Sequence, residues 1–304
     1  MILNIQNETD ILKTVVLGQP YSLGKIPELN ETYDAKSYET VKNSNYPTEE
    51  DIAKEMTALE NIFLKYSVEV LRPLILPNCN QVYARDVAFV IDDMIITSNI
   101  IPDRADEQEA YAPIYNNIAF NKIYNLPEKA HVEGGDVVLY NDTIFVGTYT
   151  EKNYPEYKTA RTNAYAISFL KELFPKKNFI ALELEKNDTD PYKGILHLDC
   201  TFMPVGNGKA IIYKDGFKNI NDYYLLVDFF GKENIFEVTQ QEMYYMNTNV
   251  FSISPKIVVS EERFIRLNNY MRDNWELTVE TVPYYEISKM GGLLRCSTLP
   301  LVRE

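Results

Sequence analysis

A histidine and an aspartate lie two residues apart in the stretch Leu196 to Phe202, and the chain contains only two histidines in all. On a β-strand, residues two apart project from the same face, so we expect His197 and Asp199 to point the same way. An imidazole moves protons near neutral pH, and a carboxylate can hold a cation. The pair therefore predicts proton transfer beside a bound cation or, as the alternative, two polar residues on a surface strand.

Other reactive side chains are scattered along the chain. Cys296, in the segment GGLLRCST, is either a buried core thiol or a nucleophile with a histidine nearby. Glu133 and Asp136 flank two glycines, which indicates either an exposed turn or two carboxylates of a site, one orienting His197 and the other shaping the substrate pocket. Asp86 follows Arg85 and is either an ion-paired strand start or part of the same site.

Composition limits the classes of partner. The formal net charge of −14 argues against nucleic acids and anionic membranes, which bind basic patches. Three widely spaced cysteines, no leader-like start and no long apolar run predict a cytoplasmic, disulfide-free protein without a membrane span. Two histidines and scattered cysteines also predict no metal site, and we expect no cofactor.

The elements that must position these residues begin with a strand over 12–18. Residues 19–47 are polar and predict an irregular excursion. Thr48 is an expected N-cap, followed by acids in the first turn and by apolar residues at helical spacing from Ile52 to Phe63. A short strand over 68–71 follows.

The remainder of the chain repeats one pattern. Apolar strand, short polar turn and second apolar strand recur roughly every 50 to 65 residues, which is typical of internal structural repeats. These hairpins are expected over 86–99, 136–148, 199–213 and 249–260, with helices over 108–118, 162–173, 222–230 and 261–274. A last hairpin-like segment over 293–301 could combine with the first strand and close a ring.

The repeats predict a single α/β domain over 1–304, built of about five ββαβ modules around a central axis. A polar residue stands at or near the head of each hairpin, including Asn249 in the fourth. Equivalent positions of a closed ring face the same axis, so we expect these residues to meet in one central pocket. Carboxylates, a histidine and a cysteine together suit a guanidinium, a planar cation whose carbon a thiolate can attack.

Four motifs carry a family resemblance. ARD at 84–86, EGGD at 133–136, HLDCTF at 197–202 and RCSTL at 295–299 resemble the motifs of the guanidino-group-modifying superfamily with the five-bladed pentein α/β-propeller fold. That superfamily includes arginine deiminases, dimethylarginine dimethylaminohydrolases and glycine-type amidinotransferases. The resemblance runs from about Leu12 to Arg303. HLDCTFMPVGNG and the MNTNV segment at 246–250 are most similar to the amidinotransferases, whereas Glu133 matches the deiminases.

The resemblance implies a role for each matching residue. It implies Cys296 as the nucleophile, His197 as the general acid and base, and Glu133 as the carboxylate partner of His197. Asp86 and Asp199 would bind the guanidinium, and no cofactor or metal is implied.

The arginine that holds the substrate carboxylate in amidinotransferases is missing from residues 213–218. Lys214 or Lys218 could replace it, and Arg161 and Arg104 are further candidates. Asp136 and Asn249 complete the expected substrate-binding set.

We therefore predict an amidinotransferase that forms a covalent thiouronium on Cys296 from an arginine-like guanidine and passes the amidino group to an amine. The alternative is a hydrolase of the arginine deiminase or dimethylarginine dimethylaminohydrolase type, and a non-catalytic binding protein on the same fold is a third. The expected partner is a small guanidino compound, with no nucleic acid and no membrane; a homo-oligomer remains open.

Overall fold

The four complete hairpins form in the computed structural model, which describes residues 1–304. Asp92 and Asn141 begin two-residue turns with φ of 52° and 55°. This left-handed conformation suits tight hairpins, and aspartate and asparagine tolerate it better than most residues. Gly206 and Gly208 also have positive φ in the next hairpin, where glycine adopts the conformation without strain.

Each sheet consists of one antiparallel pair and a third strand that runs parallel to the middle one. The strands are β1 (Leu12–Leu17), β2 (Glu69–Leu71), β3 (Ala88–Ile91), β4 (Met94–Thr97), β5 (Ile123–Asn125), β6 (Val137–Tyr140), β7 (Thr143–Thr148), β8 (Asn178–Glu183), β9 (Phe202–Val205), β10 (Lys209–Ile212), β11 (Ile235–Glu237), β12 (Phe251–Ser254), β13 (Ile257–Glu261), β14 (Thr278–Val282) and β15 (Thr298–Arg303).

Five three-stranded sheets result: β15-β1-β2, β3-β4-β5, β6-β7-β8, β9-β10-β11 and β12-β13-β14. In the first sheet, β1 and β15 pair across the two ends of the chain, as the sequence predicted for the first strand and the last segment. A parallel pair cannot be joined by a tight turn, so helical segments connect the middle and third strands. The repeated unit is therefore the predicted ββαβ order.

The helices are α1 (Ala35–Lys42), α2 (Glu49–Lys65), α3 (Ala112–Tyr115), α4 (Ala164–Leu173), α5 (Ile220–Phe230), α6 (Gln240–Tyr244), α7 (Ile265–Asp273) and α8 (Tyr285–Ser288). Thr48 caps α2 as predicted, because its side chain accepts a hydrogen bond from the backbone N–H of Asp51. The predicted apolar face of α2 is buried at Ile52, Met56, Leu59 and Phe63. None of the helices is both long enough and apolar enough to cross a membrane.

Three expectations about local structure are wrong. The helix predicted over 108–118 is a 3-10 helix over Pro102–Tyr111 followed by the single turn of α3. The excursion over 19–47, expected to be irregular, contains α1, which Asp34 caps through the backbone N–H of Ser37. The HxD pair does not lie on a strand, because His197 is the extended residue before a 3-10 turn over Leu198–Cys200.

Candidate active site

Three short 3-10 turns precede the first strands of three neighbouring sheets. They cover Ala84–Asp86, Gly134–Asp136 and Leu198–Cys200, directly before or one residue before β3, β6 and β9. The turns pack against one another in sequence order. Asp136 fixes the third turn, because its Oδ1 accepts the backbone N–H of Leu198 at 2.9 Å while its Oδ2 accepts the hydroxyl of Thr162 at 2.7 Å. Asp136 is therefore a structural anchor and makes no contact with the cavity described below.

The two glycines of EGGD are required by close packing. A Cβ atom on Gly134 would lie 2.1 Å from the carbonyl oxygen of Arg85. One on Gly135 would lie 2.6 Å from Nδ1 of His197. Any side chain at these positions would push the turns apart, so the glycines bring Glu133 next to the histidine.

His197 is fully buried between two carboxylates. Its Nε2 lies 2.8 Å from Oε2 of Glu133, and its Nδ1 lies 3.6 Å from Oδ1 of Asp86. Because a carboxylate accepts, Nε2 carries the proton, and Nδ1 is left to exchange a proton with a ligand. Burial by itself lowers the pKa of His197, but the carboxylates of Asp86, Glu133 and Asp136 outweigh it and raise that pKa above its ordinary value.

Glu133 is held in turn by Arg161. The Nη1 of Arg161 donates to both carboxylate oxygens of Glu133, at 3.0 and 2.8 Å, and Nη2 donates to the carbonyl of Tyr33. Burial opposes ionisation of Glu133, yet Arg161 and His197 lower its pKa well below the ordinary value. Glu133 is thus a permanent anion that fixes the tautomer of His197.

Asp86 has one bound and one free oxygen. Its Oδ2 accepts Nη1 of Arg104 at 2.6 Å, and Arg104 also donates from Nε and Nη2 to Glu107 at 2.6 and 2.9 Å. Oδ1 of Asp86 and Nδ1 of His197 are buried and lack hydrogen-bond partners. Buried polar atoms without partners are rare, so these two atoms mark a place where a ligand donates and accepts hydrogen bonds.

Cys296 faces the same place from the turn before β15. Its Sγ lies 3.2 Å from Nδ2 of Asn249 and 3.8 Å from Oδ2 of Asp199. Asn249 also accepts the backbone N–H groups of Arg295 and Cys296 through Oδ1, which fixes the turn. Burial and the charges of Asp199 and Asp86 raise the pKa of Cys296 well above its ordinary value, so the thiol is neutral.

A narrow cavity of about 10 Å³ joins these groups. Its walls are Tyr33, Asp34, Tyr83, Asp86, Arg104, Arg161, Leu196, His197, Met290, Gly291 and Cys296. A second cavity of about 900 Å³ adjoins it and shares Tyr33 and Arg104 with it. The larger cavity contains no histidine, so the reactive groups belong to the smaller one; we call the smaller one the central cavity and the larger one the outer cavity.

The structure brings together most of the predicted site. Asp86, Glu133, His197, Asp199, Asn249 and Cys296 meet at or beneath the central cavity. Arg161 lines it, although all its contacts there are to Glu133 and backbone carbonyls. Lys214 lies outside, with its Nζ 5.5 Å from the ring centre of Tyr223, and so gives no substrate contact in this geometry.

Sequence reasoning missed the arginine partners of the two aspartates. Arg295 donates from Nη1 to Oδ2 of Asp199 at 2.9 Å and from Nη2 to Glu8 at 2.8 Å. Its position beside Cys296 was the only available signal, because Glu8 is 287 residues away. Glu107 was also missed. Its i,i+3 spacing to Arg104 was a signal for an ion pair between the two side chains.

A metal ion would have to compete with these arginines. Asp86, Glu133 and His197 offer ligand atoms within 4.8 Å of one another. Both carboxylates are already bound by guanidinium groups, from Arg104 and Arg161. The donor set therefore fits an organic cation and a proton carrier better than a divalent ion.

Comparison with known proteins agrees with this chemistry. A family model described as N,N dimethylarginine dimethylhydrolase, eukaryotic, matches residues 30–303. YkgA of Bacillus subtilis (strain 168), described as uncharacterized, is 27% identical over 301 residues that cover 98% of this chain and 94% of YkgA. The arginine deiminase of Mycoplasma capricolum subsp. capricolum is 28% identical over 207 residues, covering 57% of this chain and 47% of the deiminase. The chain thus spans about half of that relative.

Solved structures share the fold at low identity. SxtG, an amidinotransferase of the saxitoxin biosynthetic pathway from Microseira wollei, superposes with a TM-score of 0.75 at 18% identity, covering 99% of this chain and 97% of SxtG. The N-terminal domain of ArgZ, an arginine dihydrolase of the ornithine-ammonia cycle in cyanobacteria, has a TM-score of 0.78 at 15% identity, covering 95% and 98%. That ArgZ structure holds a covalently bound reaction intermediate.

The family match over most of the chain, together with the shared mixed α/β fold, shows that the chain is a member of the guanidino-group-modifying enzymes, the pentein superfamily. Within that class, the chain belongs to the N,N dimethylarginine dimethylhydrolase family, whose model matches it over residues 30–303.

Proposed function

We propose that this chain is a hydrolase of a small guanidine, with Cys296 as the nucleophile. The main support is that Cys296, His197 and Asp86 line the same cavity. Nδ1 of His197 and Oδ1 of Asp86 have no hydrogen-bond partner within the protein. A guanidinium can donate to Asp86 there and present its carbon to sulfur. We also propose that the five sheets form one five-bladed α/β-propeller domain over 1–304, since this arrangement explains why their first strands begin at a common site.

The substrate itself activates the thiol. A neutral Cys296 is a weak nucleophile, and the Asp86 and Asp199 carboxylates hold its pKa up. A guanidinium bound to Asp86 and close to Asp199 offsets the charge of both carboxylates, so the thiol loses its proton more readily when the site is occupied. That proton passes to Nδ1 of His197, whose Nε2–H remains bonded to Glu133.

The covalent steps then balance without a cofactor. The Cys296 sulfur forms a bond to the guanidinium carbon, and the carbon–nitrogen bond to the terminal amine breaks as His197 returns its proton to that amine. The product is a thiouronium on Cys296 that keeps the rest of the substrate. Water attacks the same carbon and gives its proton to His197. The carbon–sulfur bond then breaks, releasing a ureido product and the thiol.

Two arginines at the cavity are the candidates to hold a substrate carboxylate. Arg161 uses its N–H groups for Glu133 and carbonyls, whereas Nη1 of Arg104 becomes free once a substrate displaces it from Asp86. We therefore favour Arg104 for this contact. The family match and the arginine deiminase relatives support hydrolysis of an arginine-type compound.

The amidinotransferase is the second candidate. It is favoured by the HLDCTFMPVGNG segment and by the outer cavity of about 900 Å³, which has room for an amine acceptor beside Arg104. Incubation with L-arginine or N,N-dimethylarginine, with and without glycine, separates the two. A hydrolase forms citrulline in both cases, whereas a transferase forms ornithine only with the amine. The Cys296→Ala variant is the control, and turnover by it would exclude the covalent mechanism.

A further inference from the structure

The segment over 4–10 contacts three sheets before β1 begins, and Asn4 pairs with Val302 in β15. Ile5 pairs with Asp92 in the turn between β3 and β4. The backbone N–H of Glu8 donates to the carbonyl of Leu139 in β6 at 3.1 Å. The Glu8 side chain is 5% exposed, so it points into the protein. The family match begins only at residue 30, and the comparison therefore gives this segment no role.

The Glu8 carboxylate takes two donors of Arg295. Oε1 accepts Nη2 at 2.8 Å, and Oε2 accepts Nε at 3.3 Å. The remaining nitrogen, Nη1, donates to Oδ2 of Asp199 at 2.9 Å. Arg295 is thus shared, with two donors directed at Glu8 and one at Asp199. All three side chains are at most 5% exposed, so their charges are poorly screened by water.

Two more buried arginines, Arg85 and Arg303, lie near Arg295, so the division of Arg295 between Glu8 and Asp199 affects the local balance of charge. Arg85 donates to the carbonyl of Arg295, and Arg303 donates to the carbonyls of Asp10 and Ser252. Neither of these arginines forms a hydrogen bond to a carboxylate. If Glu8 were neutral, Asp199 would become the only carboxylate hydrogen-bonded to this group of arginines, and a carboxylate fully paired with arginine binds a further cation weakly.

We propose that Glu8 is a positioning residue of the active site, which takes two of the three donor nitrogens of Arg295 and so leaves part of the charge of Asp199 available to a guanidinium and to Cys296. The statement about the guanidinium rests on the proposed function. The statement about Cys296 does not, because the Sγ to Oδ2 distance of 3.8 Å holds whatever the substrate is.

The thiol gives a direct readout of this charge. The groups near Cys296 are Asp199 and Asn249 in contact, Asp86 and His197 across the cavity, and Tyr83, Tyr284 and Cys200 in the surrounding core. Neutralising Glu8 releases Arg295 toward Asp199. The carboxylate then opposes the thiolate less, and Cys296 ionises at a lower pH.

The experiment compares Glu8→Gln with the wild-type chain. Iodoacetamide alkylation of the Cys296 peptide is followed by mass spectrometry across pH, without any guanidine. We expect the midpoint of the rate profile to fall by about one pH unit. Loosened packing would raise the rate at every pH without moving the midpoint. Asp10→Asn is the matched control, because it removes the same charge from the same segment without a contact to Arg295, and its midpoint stays at the wild-type value.

A second readout uses methylguanidine to protect Cys296 from alkylation. The concentration for half protection rises about tenfold in Glu8→Gln, since Asp199 holds the cation less well. An unchanged midpoint in a folded Glu8→Gln overturns the proposal. If that variant does not fold, Glu8→Asp replaces it, with an intermediate shift expected and no shift overturning the proposal. Absence of protection in the wild-type chain would instead contradict the proposed function and leave the midpoint test intact.

Discussion

Asp86 and Asp199 are both paired with arginine near Cys296, but their surroundings differ. Asp86 lines the central cavity with one oxygen free, and its partner Arg104 lies at the border with the outer cavity. Asp199 does not line the cavity, and its partner Arg295 is fixed by Glu8 and two carbonyls. The first pair is therefore an exchangeable ion pair that a substrate can displace, and the second belongs to the framework.

Removing the framework carboxylate is expected to have the largest effect. In Asp199→Asn, Arg295 loses a buried counter-ion while Arg85 and Arg303 remain nearby. We expect the free energy of unfolding to fall by about 3 kcal/mol and activity to be lost together with stability. Urea unfolding measures the first and citrulline release the second. An unchanged free energy of unfolding in Asp199→Asn would show that the Asp199–Arg295 pair is no more a part of the framework than the Asp86–Arg104 pair.

The exchangeable carboxylate is expected to affect activity alone. Asp86→Asn removes the free anionic oxygen at the cavity, while Arg104 keeps its two hydrogen bonds to Glu107. We expect kcat/KM to fall about 1000-fold, which corresponds to roughly 4 kcal/mol of transition-state stabilisation, with an unfolding free energy within about 1 kcal/mol of wild type. A loss of stability as large as that of Asp199→Asn would contradict the comparison.

Removing Arg104 is expected to strengthen the binding of a small guanidine, whereas removing Asp86 weakens it. In Arg104→Gln, Asp86 loses its internal guanidinium, so a small guanidine no longer has to displace it. We expect methylguanidine, which has no carboxylate, to protect Cys296 at about tenfold lower concentration. For L-arginine the affinity increases less than for methylguanidine, or decreases, because the carboxylate of L-arginine loses its proposed partner Arg104. Weaker binding of methylguanidine in a folded variant would show that Arg104 does not compete for Asp86.

The smallest predicted effect is a shift in pH dependence. Three carboxylates raise the pKa of His197, so its neutral form, which accepts the proton of the Cys296 thiol, becomes populated only at higher pH. Glu133→Gln removes one of them, so the acid limb of the kcat/KM profile moves to lower pH by about one unit. The matched change Glu107→Gln, which lies one ion pair further from His197, is expected to move it less.

The sequence was sufficient for the repeated fold because each hairpin carries local signals. Turn residues such as Asp92 and Asn141 adopt positive φ, and the apolar strands on either side pair in register. Most of the polar residues at the hairpin heads lie close to one another in the structure, with Asp136 as an anchor outside the cavity. The 3-10 turns that present them were not predicted, because a three-residue turn is too short to show a period, and His197 was therefore placed on a strand.

The arginine partners lay beyond sequence reasoning for a different reason. Arg295 meets Asp199 from a turn 96 residues away and meets Glu8 from the other end of the chain. A buried ion pair of this kind has no spacing rule, and only the closed arrangement of the sheets brings its members together. Lys214 is the opposite case. Its position in the sequence suggested that it binds the substrate carboxylate, but its side chain lies beside Tyr223 and outside the central cavity.

The central claim is that Cys296 attacks a guanidinium carbon. The most direct measurement is the mass of the Cys296 peptide after acid quenching of the enzyme during turnover of L-arginine or N,N-dimethylarginine. The proposed hydrolase predicts an adduct on Cys296 that retains the alkyl chain of the substrate, whereas an adduct of the amidino group alone would identify the transferase. Turnover with Cys296 unmodified throughout would contradict covalent catalysis at this residue.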